Sequence, residues 1–236
     1  MNPVKFEFTS KIDGFFDWYM VHHAGDGSDC IVNLHGHGSC GDQFFTREDL
    51  ESWRAEIKHQ NLSVFAPNLR GNAWMCPAAA EDLALILREN REKYGWKRLF
   101  FIGGSMGATG SLIFAVRHPE LVDGLGLLGA VVDIEDYREY CLNQHTYPIH
   151  RQIADAITEH YTNPEDFKTH SVRNQISKLT MPLRFYHGVD DPVMPVSGLH
   201  ELQELLRDHP DAVFKVVPGT HDGPLPFFTE VLRSLL

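Results

Sequence analysis

The sequence predicts an α/β fold: a mostly parallel central sheet with helices on both faces and a small helical cap insertion. Three observations predict it. The apolar pattern along the 236 residues switches repeatedly between a strand-like and a helix-like period. Short unbroken apolar runs, "LFFI" and "LGLL" among them, suit strands covered on both sides. Helical stretches separate these strands, as parallel crossovers require.

The chain opens with two short strands, "VKFEFTSKI" and "DWYMVHHA", expected as an antiparallel edge. "CIVNLHG", from Cys30 to Gly36, is a compact apolar strand ending in glycine. "TREDLESWRAEIKHQ" places Leu50, Trp53 and Ile57 at helical intervals, and "LSVFAPN" is the next strand. "AAAEDLALILRENREKYG" is a helix with a charged outer face and Gly95 as its stop. "RLFFIGG" is a strand and "GATGSLIFAVRHPE" a helix that must end before Pro119. "LVDGLGLLGAVV", "MPLRFYHG" and "AVFKVVPG" are further strands. The helical stretch "SGLHELQELLRDHP" separates the last two, and "LPFFTEVLRSLL" closes the chain as a helix. One region breaks the rhythm. Residues 133–179 carry no strong strand and many polar and aromatic residues. They read as a cap inserted over the carboxyl ends of the strands, where open α/β sheets place their sites, within a single domain spanning 1–236.

Composition narrows the function. Hydrophobic residues make up 43% and charged residues 22%, which is ordinary for a globular protein. The formal net charge of −11 argues against nucleic acid or an anionic membrane as partner. The first residues lack the apolar core of a signal peptide, and no run approaches the roughly 20 apolar residues of a membrane span. Cys30, Cys40, Cys76 and Cys141 are widely separated without a CxxC pair, so a reducing compartment, the cytoplasm, is expected.

The most informative stretch is "FFIGGSMGATG", from Phe100 to Gly110. Ser105 sits between a strand and a helix in a G-x-S-x-G pattern with Gly103 and Gly107. So sharp a turn strains its central residue and crowds neighbouring backbone, which glycines on either side permit. The strain points the hydroxyl out of the sheet, at the amide end of a helix that favours negative charge. A phosphate-binding turn is the competing explanation.

A serine nucleophile needs a base, and the base needs an orienting carboxylate. In this architecture they follow in the order serine, acid, histidine. "RFYHGVDDPVMP" offers Asp190 and Asp191 just after a strand, and "VFKVVPGTHDG" offers His221 after the last one. Asp133, at the end of the preceding strand region, competes for the acid's role. Among the 14 histidines, His118 and His209 are expected on the surface, and His187 reads as structural.

With these residues in place, the chain resembles the α/β-hydrolases over nearly its whole length. "HGVDDPVMP" is similar to their H-G-x-x-D-P-x-x-P segment, which implies Asp191, not Asp190, as the acid. "GTHDG" matches the loop of their catalytic histidine, which implies His221. "NLHGHGSCG" resembles their H-G-x-G oxyanion loop, here His35, Gly36, His37 and Gly38. The resemblance implies that the backbone N–H groups of His37 and Met106 form the oxyanion hole. His35 and His37, two apart at a strand end, could instead chelate a metal, but no acidic or cysteine cluster joins them, and no metal is expected.

"APNLRGNAW" and "GGSMG" resemble segments of the prolyl-oligopeptidase-like hydrolases. The first strands begin almost at Met1, so the propeller domain of those peptidases is not expected ahead of them. The chain is more similar to the stand-alone carboxylesterases and acyl-carbohydrate esterases of that group. The expected function is cleavage of small or polar carboxylic esters by a Ser105–His221–Asp191 triad without a cofactor. A small peptidase or aminoacyl hydrolase is one alternative; a binding protein or a lyase on the same fold is another. Tyr137, Tyr140, Tyr147, Tyr161, His145 and His150 of the insertion give amphipathic rings able to pack a substrate, while for any single tyrosine anchoring the cap to the core is the favoured role. Trp74 and Met75 are expected as a small apolar wall of the binding site.

Overall fold

The computed structural model describes residues 1–236. Its strands are β1 (Val4–Thr9), β2 (Phe16–His22), β3 (Cys30–Val32), β4 (Ser63–Pro67), β5 (Leu99–Gly104), β6 (Gly124–Leu128), β7 (Leu183–Gly188) and β8 (Ala212–Val217). They form one sheet in the order β1-β2-β4-β3-β5-β6-β7-β8. The pairings of β1 with β2 and of β2 with β4 are antiparallel, and all others are parallel. The helices are α1 (Gln43–Thr46), α2 (Glu51–His59), α3 (Pro77–Tyr94), α4 (Met106–Arg117), α5 (Ile134–Leu142), α6 (Pro148–His160), α7 (Pro164–His170), α8 (Ser197–Leu205) and α9 (Phe228–Leu235). None is long and apolar enough to cross a membrane.

The strand period of two divides the core. Val32, Phe65, Phe101, Leu125 and Leu127 join the side chains of α3, α4 and α8 on one face. Ile31, Val64, Phe100, Ile102 and Leu128 join α2 and α9 on the other. Burying each of these side chains stabilises the fold by roughly 1.5–3 kcal/mol. The first face is the larger, because Tyr137, Ile153, Ile157 and Tyr161 from the stretch 133–179 extend it.

Local chemistry sets the ends of the elements. Pro77 opens α3, and Gly95 closes it at φ 62°, a left-handed value that costs glycine little. The helix expected from Thr46 starts only at Glu51, after α1 and a 3-10 turn at Glu48–Leu50. Arg54 holds this broken start by donating from Nη1 to the carbonyls of Phe44 at 2.9 Å and Arg47 at 2.8 Å. β3 is shorter than Cys30–Gly36. Asn33 makes one last ladder bond to the Phe65 carbonyl at 2.9 Å. Its side-chain amide then donates to the Ile102 carbonyl at 2.7 Å, and the chain leaves the sheet as a loop. Residues 133–179 contain α5, α6, α7 and a 3-10 turn at Arg173–Lys178.

Candidate active site

Four chain segments leave the carboxyl ends of the parallel strands and meet there. The Ser105 turn follows β5, the loop of Asp191 follows β7, the loop of His221 follows β8 and the loop of His37 follows β3. Ser105, His221 and His37 line one cavity of about 300 Å³.

Ser105 has φ 57° and ψ −125°, a strained conformation for a residue with a side chain. Backbone crowding explains the glycine two residues on. A Cβ on Gly107 would stand 2.0 Å from the Leu34 carbonyl oxygen, so the segment leading into the His37 loop and the Ser105 turn touch through bare backbone. Met106 opens α4, and its N–H is among the first-turn amides that no carbonyl four residues back can reach.

His221 Nδ1 lies 2.7 Å from Asp191 Oδ2. An ionised carboxylate only accepts, so Nδ1 carries the proton and Nε2 is the basic nitrogen. The other oxygen, Asp191 Oδ1, accepts from the N–H groups of Val193 at 2.8 Å and Met194 at 2.9 Å. Burial works against the Asp191 charge, but hydrogen bonds from His187 and His221 outweigh it and hold the carboxyl well below the usual range. The loops of Asp191 and His221 also meet through bare backbone: a Cβ on Gly188 would stand 2.1 Å from the Thr220 carbonyl oxygen.

The competing residues lie elsewhere. Asp190 is exposed. Asp133 caps α5, with Oδ1 accepting from Glu135 N at 3.1 Å, while its Oδ2 accepts from the Ser171 hydroxyl at 2.6 Å. His118 stands beside Glu81, with Nε2 3.4 Å from Oε1. His187 is fully buried; its Nε2 lies 2.9 Å from the Met194 carbonyl and 3.5 Å from Asp191 Oδ2. Both neighbours are acceptors, so His187 keeps its proton on Nε2 and faces the same Asp191 oxygen that His221 meets.

The His37 loop is fixed from the "NLRGNAW" segment. His35 Nε2 meets the Asn68 carbonyl at 2.8 Å, Gly41 N–H donates to Asn68 Oδ1 at 3.2 Å, and Gly38 N–H donates to Asn72 Oδ1 at 2.7 Å. Gln43 Oε1 accepts from Gly36 N–H at 2.8 Å. The N–H of His37, between those of Gly36 and Gly38, has no partner in the protein. Asn72 and Gln43 carry no signal in the sequence, because they reach the loop only through tertiary structure.

Trp74 and Met75 are buried and do not line the cavity of Ser105. Instead the Trp74 indole N–H donates to His37 Nδ1 at 3.3 Å. None of the six aromatic or histidine residues singled out in 133–179 lines that cavity. Tyr137, Tyr161 and His150 are core residues, and Tyr147 and His145 are exposed. The cavity wall comes from Gln43, Arg47, Leu50 and Trp53, with Leu225 beside Trp53, its carbonyl accepting from the Trp53 indole N–H at 3.2 Å.

A sequence model described as the alpha/beta hydrolase fold matches residues 29–146, half of the chain. No curated protein sequence matches the chain significantly. Among solved structures, the chain is similar to the fluorophosphonate-binding serine hydrolase F of Staphylococcus aureus. The TM-score is 0.78 at 15% identity, covering 100% of this chain and 98% of that one. It is also similar to the S-formylglutathione hydrolase of Staphylococcus aureus, with TM-score 0.74, 14% identity, and coverage of 100% and 99%. The esterase Pf2001 of Pyrococcus furiosus gives TM-score 0.73 at 16% identity, covering 99% and 91%. At such identities the likeness concerns the fold. The sheet order, the strained turn after β5 and the family match agree: the chain belongs to the α/β-hydrolase fold family.

Proposed function

We propose that the chain is a serine hydrolase that cleaves carboxylic esters of small or polar substrates through an acyl-enzyme. The observation that carries this reading is the Asp191–His221 hydrogen bond at 2.7 Å, with His221 and the strained Ser105 lining one cavity. His221 Nε2 takes the Ser105 proton as Oγ attacks the ester carbonyl. The backbone N–H groups of His37 and Met106 hold the oxyanion. His221 then gives its proton to the leaving alcohol, and water, activated by the same nitrogen, releases the acid. Asp191 fixes the tautomer and supports the imidazolium. The scheme draws on protein groups alone.

A cavity of about 300 Å³ with polar and apolar walls suits a short acyl or aromatic group better than a lipid chain. In this reading the chain is one domain, and residues 133–179 are an insertion that braces the oxyanion side. Four free, separated cysteines fit a cytoplasmic setting.

The test is labelling with a fluorophosphonate probe together with turnover of p-nitrophenyl esters from acetate to palmitate. Wild type labels and its kcat/KM falls beyond about four to six carbons. Ser105→Ala folds, does not label and loses on the order of 10³-fold or more in kcat. A maximum at ten carbons or longer would refute the small-substrate part.

A further inference from the structure

His37 contributes more to the cavity than its backbone. An indole N–H can only donate, so the 3.3 Å contact from Trp74 Nε1 makes His37 Nδ1 an acceptor. A neutral imidazole has one proton, and here it must sit on Nε2. That nitrogen has no hydrogen-bond partner in the protein and is not sealed in it, on a residue that lines the cavity with Ser105 and His221. Burial, and then the neighbouring His35, push the His37 pKa down, which keeps the ring neutral near pH 7.

The tautomer is held from a distance. Trp74 is buried, with φ 49°, and Met75 follows at φ 54°. The Tyr161 hydroxyl shares its proton between their two carbonyls, at 2.9 Å and 3.1 Å. The Tyr137 ring packs on Trp74 with centroids 5.6 Å apart. The insertion therefore fixes Trp74, Trp74 fixes the His37 tautomer, and His37 presents a donor to the cavity.

We propose that the His37 Nε2–H, set by the Trp74 indole, is a third donor to the oxyanion of the reacting carbonyl, beside the N–H groups of His37 and Met106. His37 is thereby a catalytic residue through its side chain, and Trp74 is a positioning residue. This rests on the serine hydrolase reading, which the Ser105→Ala variant tests separately. If Ser105→Ala abolishes turnover, any failure below counts against His37 alone.

The experiment measures kcat and KM for p-nitrophenyl acetate in His37→Phe, His37→Gln, Trp74→Phe and the double variant His37→Phe/Trp74→Phe, with thermal melts as the control for folding. An oxyanion donor acts in the transition state, so His37→Phe should lower kcat by about 10- to 100-fold with KM little changed. His37→Gln, which keeps a donor, should lose less. Trp74→Phe should lower kcat several-fold in the wild-type background and not further in the His37→Phe background. Three results would each overturn the proposal: kcat of His37→Phe within twofold of wild type, a loss confined to KM, or an equal Trp74→Phe loss in both backgrounds. Should His37→Phe not fold, Trp74→Phe against His37→Gln decides by the same comparison of backgrounds.

Discussion

The two sides of the cavity are built on different length scales. On the acid side, Asp191 and His221 stand on loops that follow the adjacent parallel strands β7 and β8, and Gly188 lets those loops touch. Each partner of the acid belongs to one of two short segments, "HGVDDPVM" and "GTHDG". On the oxyanion side, the His37 loop follows β3, is held by residues 68–74, and these are held in turn by Tyr137 and Tyr161 of the insertion. The acid side is two strand ends deep and the oxyanion side three packed segments deep. Changes on the acid side should therefore act on chemistry, almost all or none. Changes on the oxyanion side should be graded and tied to stability.

The largest effect tests the acid side. Asp191→Asn keeps the shape but loses the charge that orients His221, and kcat should fall by on the order of 10³- to 10⁴-fold. Asp190→Asn, at an exposed position, should stay within about twofold. Asp133→Asn should change stability and not chemistry, because Asp133 caps α5 and accepts from Ser171. Steady-state kinetics of the three variants decide the matter. A larger kcat loss at 133 than at 191 would break the division between the two sides.

The same division explains what the sequence reveals. The strand periodicity, the Ser105 turn and the short segments that carry Asp191 and His221 are legible because each depends on neighbours within a few residues. Gly107 and Gly188, two of the positions where backbone contact forces a glycine, lie inside these motifs. Trp74 and Met75 are legible as apolar residues near the site, but not as buried ones, nor is the Trp74 indole legible as a partner of His37. The tyrosines of the insertion were legible as amphipathic rings. Whether such a ring meets substrate or core is decided by partners far away in sequence, the Val193 carbonyl for the Tyr137 hydroxyl and the 74–75 carbonyls for that of Tyr161.

An intermediate effect tests how firmly the insertion is seated. His170, at the end of α7, is buried, with its Tyr161 neighbour edge-on at 5.8 Å between ring centroids. Its Nδ1 donates to the Asp166 carbonyl at 3.0 Å, and its Nε2 is buried without a partner. Burial, and then nearby Arg117, lower its pKa from 6.5 to about 4. Between those values the unfolded chain binds a proton that the folded chain refuses. Stability is therefore lost as pH falls from about 6.5 to about 4, by up to about 3 kcal/mol from this group. Urea unfolding of wild type and His170→Gln across that window should show the pH dependence shrinking in the variant. An unchanged difference between the two at pH 7 and pH 4.5 would mean that His170 does not report on the insertion.

The smallest effect probes the link between the insertion and the oxyanion side. Tyr161 ends α6, and its hydroxyl serves the buried carbonyls of Trp74 and Met75. Tyr161→Phe keeps the ring and its stacking on Phe167, with centroids 5.0 Å apart, so the core stays filled. It leaves the two carbonyls without their shared donor, which costs about 1–2 kcal/mol and lowers Tm by roughly 2–8 °C at about 2–4 °C per kcal/mol for a chain of this size. Both residues sit at left-handed backbone angles, so loss of that hydroxyl relaxes the segment that aims the indole at His37. A two- to fivefold fall in kcat should accompany the loss of stability, with KM held. A kcat loss as deep as that of Asp191→Asn would make the insertion part of the chemical machinery and erase the contrast between the two sides. A loss of stability with kcat unchanged would show that Trp74 keeps its aim without Tyr161, and would shorten the oxyanion side from three packed segments to two.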